Sequence, residues 1–252
     1  MPLSVTKGFL LAAGLGTRLK PLTNSVPKCL VPVDGKPMLS IWLDLCQKLG
    51  LRDVLINTHH LAAQVEAWAA DQVDKPVRIC LVYEPELLGS AGTIASNWGF
   101  VEGEEDFFIF YADNLVHMDF DGMIGFHQSH TSPLTVALFH SSRPSNCGIA
   151  LLDEDNRITG FEEKPACPKS DLANGGIYLA RRGIRQFLPM PGYADFAIDV
   201  LPRLVGEMRG FVTNGRILDV GTPENYDQAL REWPAITRNA SETRHPYEPV
   251  HD

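Results

Sequence analysis

No stretch of this 252-residue sequence approaches the roughly 18 consecutive apolar residues of a membrane-spanning helix, so none is expected. A single early Lys7 and a short apolar run before Gly14 predict no signal peptide. Cysteine is scarce: Cys29, Cys46, Cys80, Cys147 and Cys167 are five in number, far apart, with no Cys-x-x-Cys pair. That pattern excludes a disulfide framework and a clustered zinc site, and points to a reducing, cytoplasmic compartment. Basic residues are in the minority, 22 Lys and Arg against 31 Asp and Glu, for a formal net charge of −9. Nucleic acid is therefore not an expected partner, since a phosphate backbone needs a basic surface. Small anions are not excluded, because their binding depends on local field. Arg18, Lys20, Lys28 and Lys36 gather near the N-terminal end. Internal repeats and low-complexity linkers are also missing.

What is present suits a sizeable core, with 44% hydrophobic residues. Apolar runs rich in β-branched and aromatic residues at 8–13, 54–57, 77–83 and 107–111 read as buried strands. Between them, 37–49 and 61–70 carry apolar residues at helical spacing, with Pro37 suited to a first turn and Gly50 to a C-terminal cap. This alternation predicts an α/β fold: a mixed, mainly parallel central sheet flanked by helices, with ligands at the carboxyl ends of its strands. The second half is less regular. Strands are expected at 134–139, 148–152, 158–161 and 176–179, a hairpin turn at 153–156, and helices near 196–205 and 223–232. One domain is expected over residues 1–233, followed by a polar tail, 234–252, that frays.

The most specific segment is Leu11-Ala-Ala-Gly-Leu-Gly-Thr-Arg18, followed by Pro27-Lys28. Gly14 and Gly16 are expected to take backbone angles closed to other residues and to let a ligand reach the main chain. Successive N–H groups in such a turn form a concave anion site, to which Arg18 and Lys28 add charge. A dinucleotide fingerprint needs a third glycine where Leu19 stands. A P-loop needs a different glycine spacing and a Lys-Ser or Lys-Thr pair. Neither fits, and a phosphate ligand remains. The full pattern resembles the sugar nucleotidyltransferases, which join a nucleoside triphosphate to a sugar 1-phosphate. Segments 84–93, 111–114, 161–165 and 218–226 match further motifs of that family in its order, so the likeness covers about residues 5–232.

The resemblance implies a Rossmann-like fold of the nucleotide-diphospho-sugar transferase type, with a nucleotide-binding half over about 1–115 and a sugar-binding half over about 116–233. Leu11, Ala13, Gly14, Gly16, Thr17, Glu84, Gly89 and Gly92 fall at its nucleotide-binding positions. Arg18 would hold the triphosphate and its pyrophosphate, Lys28 the α-phosphate, and Asp113 with Asp219 a Mg²⁺ ion. Ala112 replaces a usual glycine and Ile217 a frequent tryptophan beside those carboxylates. Gly148, Glu163, Lys164 and Asn174 match the sugar-phosphate side. A phosphate monoester, with its second pKa near about 6, needs no general base. His59, His60, His127 and His130 accordingly read as helical or turn-surface residues rather than metal ligands.

Glu84 stands where thymidylyl- and uridylyltransferases of the family often carry glutamine. A carboxylate can accept both adjacent donors of guanine, which favours GTP; the alternative is that Glu84 caps a helix starting near Ser90. The stretch Asp195-Phe-Ala-Ile-Asp-Val-Leu-Pro202 resembles mannose- and heptose-1-phosphate guanylyltransferases. UTP or dTTP as donor, or a non-catalytic relative that binds NDP-sugar, are the competing readings. The family's frequent C-terminal β-helix is not expected. Partners are the two substrates alone, and the oligomeric state stays open, a homodimer included.

Overall fold

The first apolar run becomes β1 (Lys7–Leu11), with Phe9 and Leu10 buried on opposite faces by strand alternation. In the computed structural model, which describes residues 5–242, β1 lies within a nine-stranded sheet. A small hairpin of β2 (Pro32–Val33) and β3 (Lys36–Pro37) comes next. The βα half continues through α1 (Met38–Lys48), β4 (Asp53–Thr58), α2 (Ala62–Ala70) and β5 (Arg78–Tyr83). It ends with α3 (Gly89–Ser96) and β6 (Asp106–Tyr111). Strands β6, β1, β4 and β5 are parallel neighbours in that order. Gly50 closes α1 at φ 75°, where Leu51 N–H reaches Cys46 O and Gly50 N–H reaches Gln47 O.

After β6 come β7 (Asn114–His117), α4 (Phe120–Gln128), β8 (Leu134–His140) and β9 (Gly148–Leu152). Then follow β10 (Ile158–Glu163) and β11 (Leu172–Arg181). β11 runs antiparallel to both β6 and β8, joining the second half to the first in one sheet. β12 (Arg209–Val212) lies parallel to β8, whereas β13 (Arg216–Asp219) leaves the sheet to pair antiparallel with β7. The last element is α5 (Pro223–Glu242). One face of the sheet buries Phe9, Phe107, Tyr178 and Phe196, and the other Leu10, Trp42, Phe108 and Phe110. A third cluster, including Leu19, Val31, Met38, Leu218 and Trp233, lies beneath the glycine loop. No helix among the described residues is long and apolar enough to cross a membrane.

Three expectations need correction. Residues 196–205 do not form an α-helix. Leu201 N–H bonds back to Phe196 O in a π-turn, and a 3-10 turn follows at Leu201–Leu204, where Pro202 offers no N–H. Fraying does not begin at Pro234. α5 runs through it, because Trp233 and Ile236 pack into the third cluster. Residues 243–252 of the expected tail lie outside the described residues. α4 has no counterpart among the expected helices, since Gly122 and Gly125 mask it; its signal is the Asp119 cap with Phe120, Met123 and His127 on one face.

The third correction concerns His127, which is buried rather than on a surface. Its Nδ1 meets Thr135 Oγ1 at 2.7 Å and its Nε2 meets Asp106 Oδ1 at 3.0 Å. Desolvation outweighs the Asp106 contact and holds His127 below the usual imidazole value. Burial, with the neighbouring His127, Arg181 and Arg209, pushes His130 down to about 4. The unfolded chain takes up these protons near about pH 6.5, while the folded imidazoles stay neutral. Their contribution to stability is thus full above that pH and is lost as pH falls toward 4. Thermal melts are expected to show Tm falling between about pH 6.5 and 4.5, with a shallower slope in His130→Gln.

Candidate active site

β1 ends at Leu11, and Ala12 N–H donates to Asn57 Oδ1 at 2.7 Å, which fixes where the glycine loop begins. Gly16 has φ +62°, and a Cβ there would stand 2.8 Å from Thr23 Cγ2, so the turn requires glycine. Thr23 Oγ1 and Leu19 N–H both donate to Gly16 O, at 2.7 and 2.9 Å. Gly14 departs from the expectation of a special backbone angle: its φ is not positive. Nothing lies within 4 Å of where its Cβ would be, so what it contributes is open space.

Lys28 opens a short 3-10 turn after Pro27 and is only 7% exposed, with Nζ 2.8 Å from Asp113 Oδ2. Asp113 sits in the turn from β6 into β7. The β7–β13 ladder pairs Asp219 with Asn114, and Val220 N–H donates to Asp113 O at 3.1 Å. The backbones at Asp113 and Val220 thus meet where the turn enters β7, and Asp113 and Asp219 both line one cleft. Asp219 Oδ2 accepts from Asn225 Nδ2 at 2.8 Å. A Cβ on Gly221 would be 2.8 Å from either Asp219 oxygen and 3.0 Å from Arg18 Nη2, so Arg18 and Asp219 converge over this glycine. Burial pushes the Asp113 carboxyl up, but the Lys28 ammonium, helped by Arg18, holds it below the usual carboxylate range.

Two cavities open from this point. The first, of about 420 Å³, is walled by the glycine loop with Lys28, Glu84, Gly89 and Tyr193. The second is a larger cleft of about 1180 Å³, lined by Gly148, Glu163, Lys164, Asn174 and Asp219. They share four residues, Arg18, Tyr111, Asp113 and Asp195. Leu11, Ala13, Gly14, Gly16 and Thr17 line the first cavity. Gly92 lines neither: a Cβ there would run into Gly192 O, so it serves the packing of α3 under the 192–194 segment.

Glu84 borders the first cavity, yet it is 2% exposed and its carboxylate turns inward. Oε1 accepts from Asn57 Nδ2 at 2.9 Å and from Thr93 Oγ1, and Oε2 accepts from Leu88 N–H at 3.1 Å. These bonds tie the loop anchor Asn57 to the start of α3, which favours the capping role over base reading. Glu84→Ala would strand the Leu88 N–H, at about 1–3 kcal/mol, while Asn57 Nδ2 and Thr93 Oγ1 keep Thr93 Oγ1 and Gly89 O as acceptors. A fall in Tm of roughly 2–12 °C is the expected result of a thermal melt.

On the second cavity, a Cβ on Gly148 would stand 2.6 Å from Glu163 Oε2 and 2.7 Å from Phe161 Cζ. Desolvation pushes the Glu163 carboxyl up, against the pull of Lys164, whose Nζ lies 3.5 Å from Oε1. Asn174 Nδ2 donates to Tyr178 Oη at 2.7 Å, and its Oδ1 accepts from Gly176 N–H at 3.0 Å. His59 Nδ1 meets Glu84 O at 2.7 Å and His60 Nε2 meets Thr23 O at 2.9 Å. Motif matching misses a chain of side chains at the junction. Tyr111 Oη donates to Ser90 Oγ at 3.1 Å and Ser90 Oγ to Asp195 Oδ2 at 3.2 Å, while Asp195 caps the π-turn through Ala197 N–H. Its sequence signal is an Asp directly before the apolar Phe196-Ala-Ile.

The nucleotidyl transferase family model matches residues 7–234. The chain is 30% identical over 225 residues to the mannose-1-phosphate guanylyltransferase catalytic subunit beta of Drosophila pseudoobscura pseudoobscura, covering 88% of this chain and 60% of that protein. It is 28% identical over 242 residues to the UTP–glucose-1-phosphate uridylyltransferase of Synechocystis sp., covering 89% of this chain and 62% of that protein. The chain thus spans about 60% of the length of these curated relatives. Among solved structures, HddC from Yersinia pseudotuberculosis is similar with a TM-score of 0.77 at 25% identity, covering 91% of this chain and 100% of that one. The fold is that of the nucleotide-diphospho-sugar transferases. With the match running from β1 into α5 and the motif residues gathered round one glycine loop, the chain belongs to the nucleotidyl transferase family.

Proposed function

We propose that this chain transfers a nucleotidyl group from a nucleoside triphosphate to a sugar 1-phosphate. GTP is the favoured donor and a mannose- or heptose-type sugar the favoured acceptor. The observation that carries this reading is the junction of two cavities at Arg18, Tyr111, Asp113 and Asp195. Two ligands can react only where both sites open on the same groups. The acceptor phosphate, mostly a dianion near neutral pH, bonds through an oxygen to the α-phosphorus, and the bond to pyrophosphate breaks. Lys28 and Arg18 stabilise the charge that spreads over the reacting and departing phosphate oxygens. Glu163 and Lys164, on the acceptor side, take sugar hydroxyls and the sugar's phosphate, and Gly148 leaves them room.

Asp113 and Asp219 both line the second cleft and offer hard oxygen donors, a set that suits Mg²⁺ completed by phosphate oxygens and water. Such an ion would supply further neutralisation of the triphosphate. No group of three or more His, Cys, Asp or Glu side chains that could hold a metal occurs among the described residues. Guanine preference is supported by the guanylyltransferase relative, while the uridylyltransferase relative supports UTP as the alternative. Glu84, committed inward, adds nothing to either. The five free cysteines support a cytoplasmic setting.

The test is a panel of GTP, UTP, dTTP and ATP against sugar 1-phosphates, scoring Mg²⁺-dependent pyrophosphate release. GTP with mannose or heptose 1-phosphate is expected to turn over fastest. Release with UTP or dTTP alone would transfer the reading to the alternative donor. No release from any pair would contradict the enzyme reading.

A further inference from the structure

One wall of the first cavity has no part in the chemistry above. Tyr193 lines that cavity and is 77% exposed, at the end of the loop Pro189-Met-Pro-Gly-Tyr193. The segment is anchored immediately after it. Ala194 N–H donates to Leu88 O at 2.8 Å, and Ala194 O accepts from Ala91 N–H at 2.9 Å and Gly92 N–H at 3.1 Å. Gly89 and Gly92 have no space for a Cβ because Ala194 O and Gly192 O press against them. Tyr193 is therefore delivered to the cavity from the first turn of α3, whereas Arg18 and Lys28 enter from other elements. It does not line the acceptor cleft, although Asp195, two residues on, does. Leu15 of the glycine loop, itself 41% exposed, and Leu87 supply apolar lining to the same cavity.

We propose that Tyr193 is the stacking platform for the nucleobase of the triphosphate, an inference that rests on the nucleotidyl-transfer reading. A large aromatic ring left in water at the rim of a nucleotide-sized cavity is matched by one ligand surface in particular, a planar heteroaromatic base. Base–aromatic stacking tolerates any base, because every base has a π-face. Tyr193 thus supplies affinity for the base without choosing it. That fits a site in which Glu84, the side chain best placed by motif to choose, is occupied by Asn57, Thr93 and Leu88.

The experiment is calorimetric titration of the wild type, Tyr193→Ala and Tyr193→Phe with GTP, with UTP and with inorganic tripolyphosphate, which has no base. Tyr193→Ala is expected to weaken binding of both nucleotides roughly 5- to 100-fold and to leave tripolyphosphate unchanged. Tyr193→Phe should bind like the wild type. In turnover, Tyr193→Ala should raise KM for the nucleotide by a similar factor with kcat kept. Nucleotide binding undiminished in Tyr193→Ala overturns the stacking role alone, as does an equal loss of nucleotide and tripolyphosphate. A wild type that binds no triphosphate overturns the nucleotidyl-transfer reading, and this one with it.

Discussion

Lys28→Met is expected to lower kcat by about 10²- to 10³-fold while the fold survives. Methionine replaces the buried aliphatic stem of Lys28, so the substitution removes charge more than volume. The Asp113 carboxylate it leaves behind retains access to water, its side chain being 42% exposed. A second readout separates this electrostatic role from a packing role. In the wild type the Asp113 carboxyl lies below its usual range because Lys28 and Arg18 overcome the effect of burial. Asp113 therefore stays ionised across the working range, and activity should show no limb from it above about pH 5. Without Lys28 the main cause that holds the carboxyl down is gone, and it moves up from that depressed range. The acid limb of kcat in Lys28→Met should accordingly shift to higher pH. A rate loss with an unmoved pH profile would point to disturbed packing instead.

Asp113→Ala has the second large expected effect, loss of measurable turnover from a folded chain. The substitution removes one of the two carboxylates proposed for the metal and strands the Lys28 ammonium, which is 7% exposed. A buried charge that loses its partner costs about 3–5 kcal/mol. Native stabilities of about 5–15 kcal/mol leave room for that loss. A melt should thus show a cooperative transition at reduced Tm. Titration with Mn²⁺ in the presence of nucleotide should show weakened metal binding in the variant. Full activity in a folded Asp113→Ala chain would remove Asp113 from the proposed machinery.

The parts of the fold legible in the sequence are those in which one local pattern decides the structure. β1, β4 and β6 are short runs of apolar residues, and their burial on both faces follows from a sheet covered by helices. β12 and β13 escape such reading. Each is four residues long, Gly210 interrupts the first, and the second owes its existence to pairing with β7 about a hundred residues earlier. The same long-range ladder brings the chain at Val220 against Asp113, so the sequence suggests two carboxylates but not that they open on one cleft. Glu84 marks a different limit. Its motif position puts it at the cavity wall, but the direction of its carboxylate depends on Asn57 from β4 and Thr93 from α3. Gly16 was readable from its turn; Gly14, with an ordinary φ and empty space around it, differs in kind from its neighbour.

The decisive measurement follows the α-phosphorus. GTP labelled at that atom is incubated with Mg²⁺, mannose 1-phosphate and the wild-type chain, and the products are separated. The label is expected in a sugar nucleotide, with unlabelled pyrophosphate formed in equal amount and neither product appearing without the acceptor. Label recovered only in GTP, or released as GMP whether or not the sugar phosphate is present, would contradict nucleotidyl transfer at the junction of the two cavities.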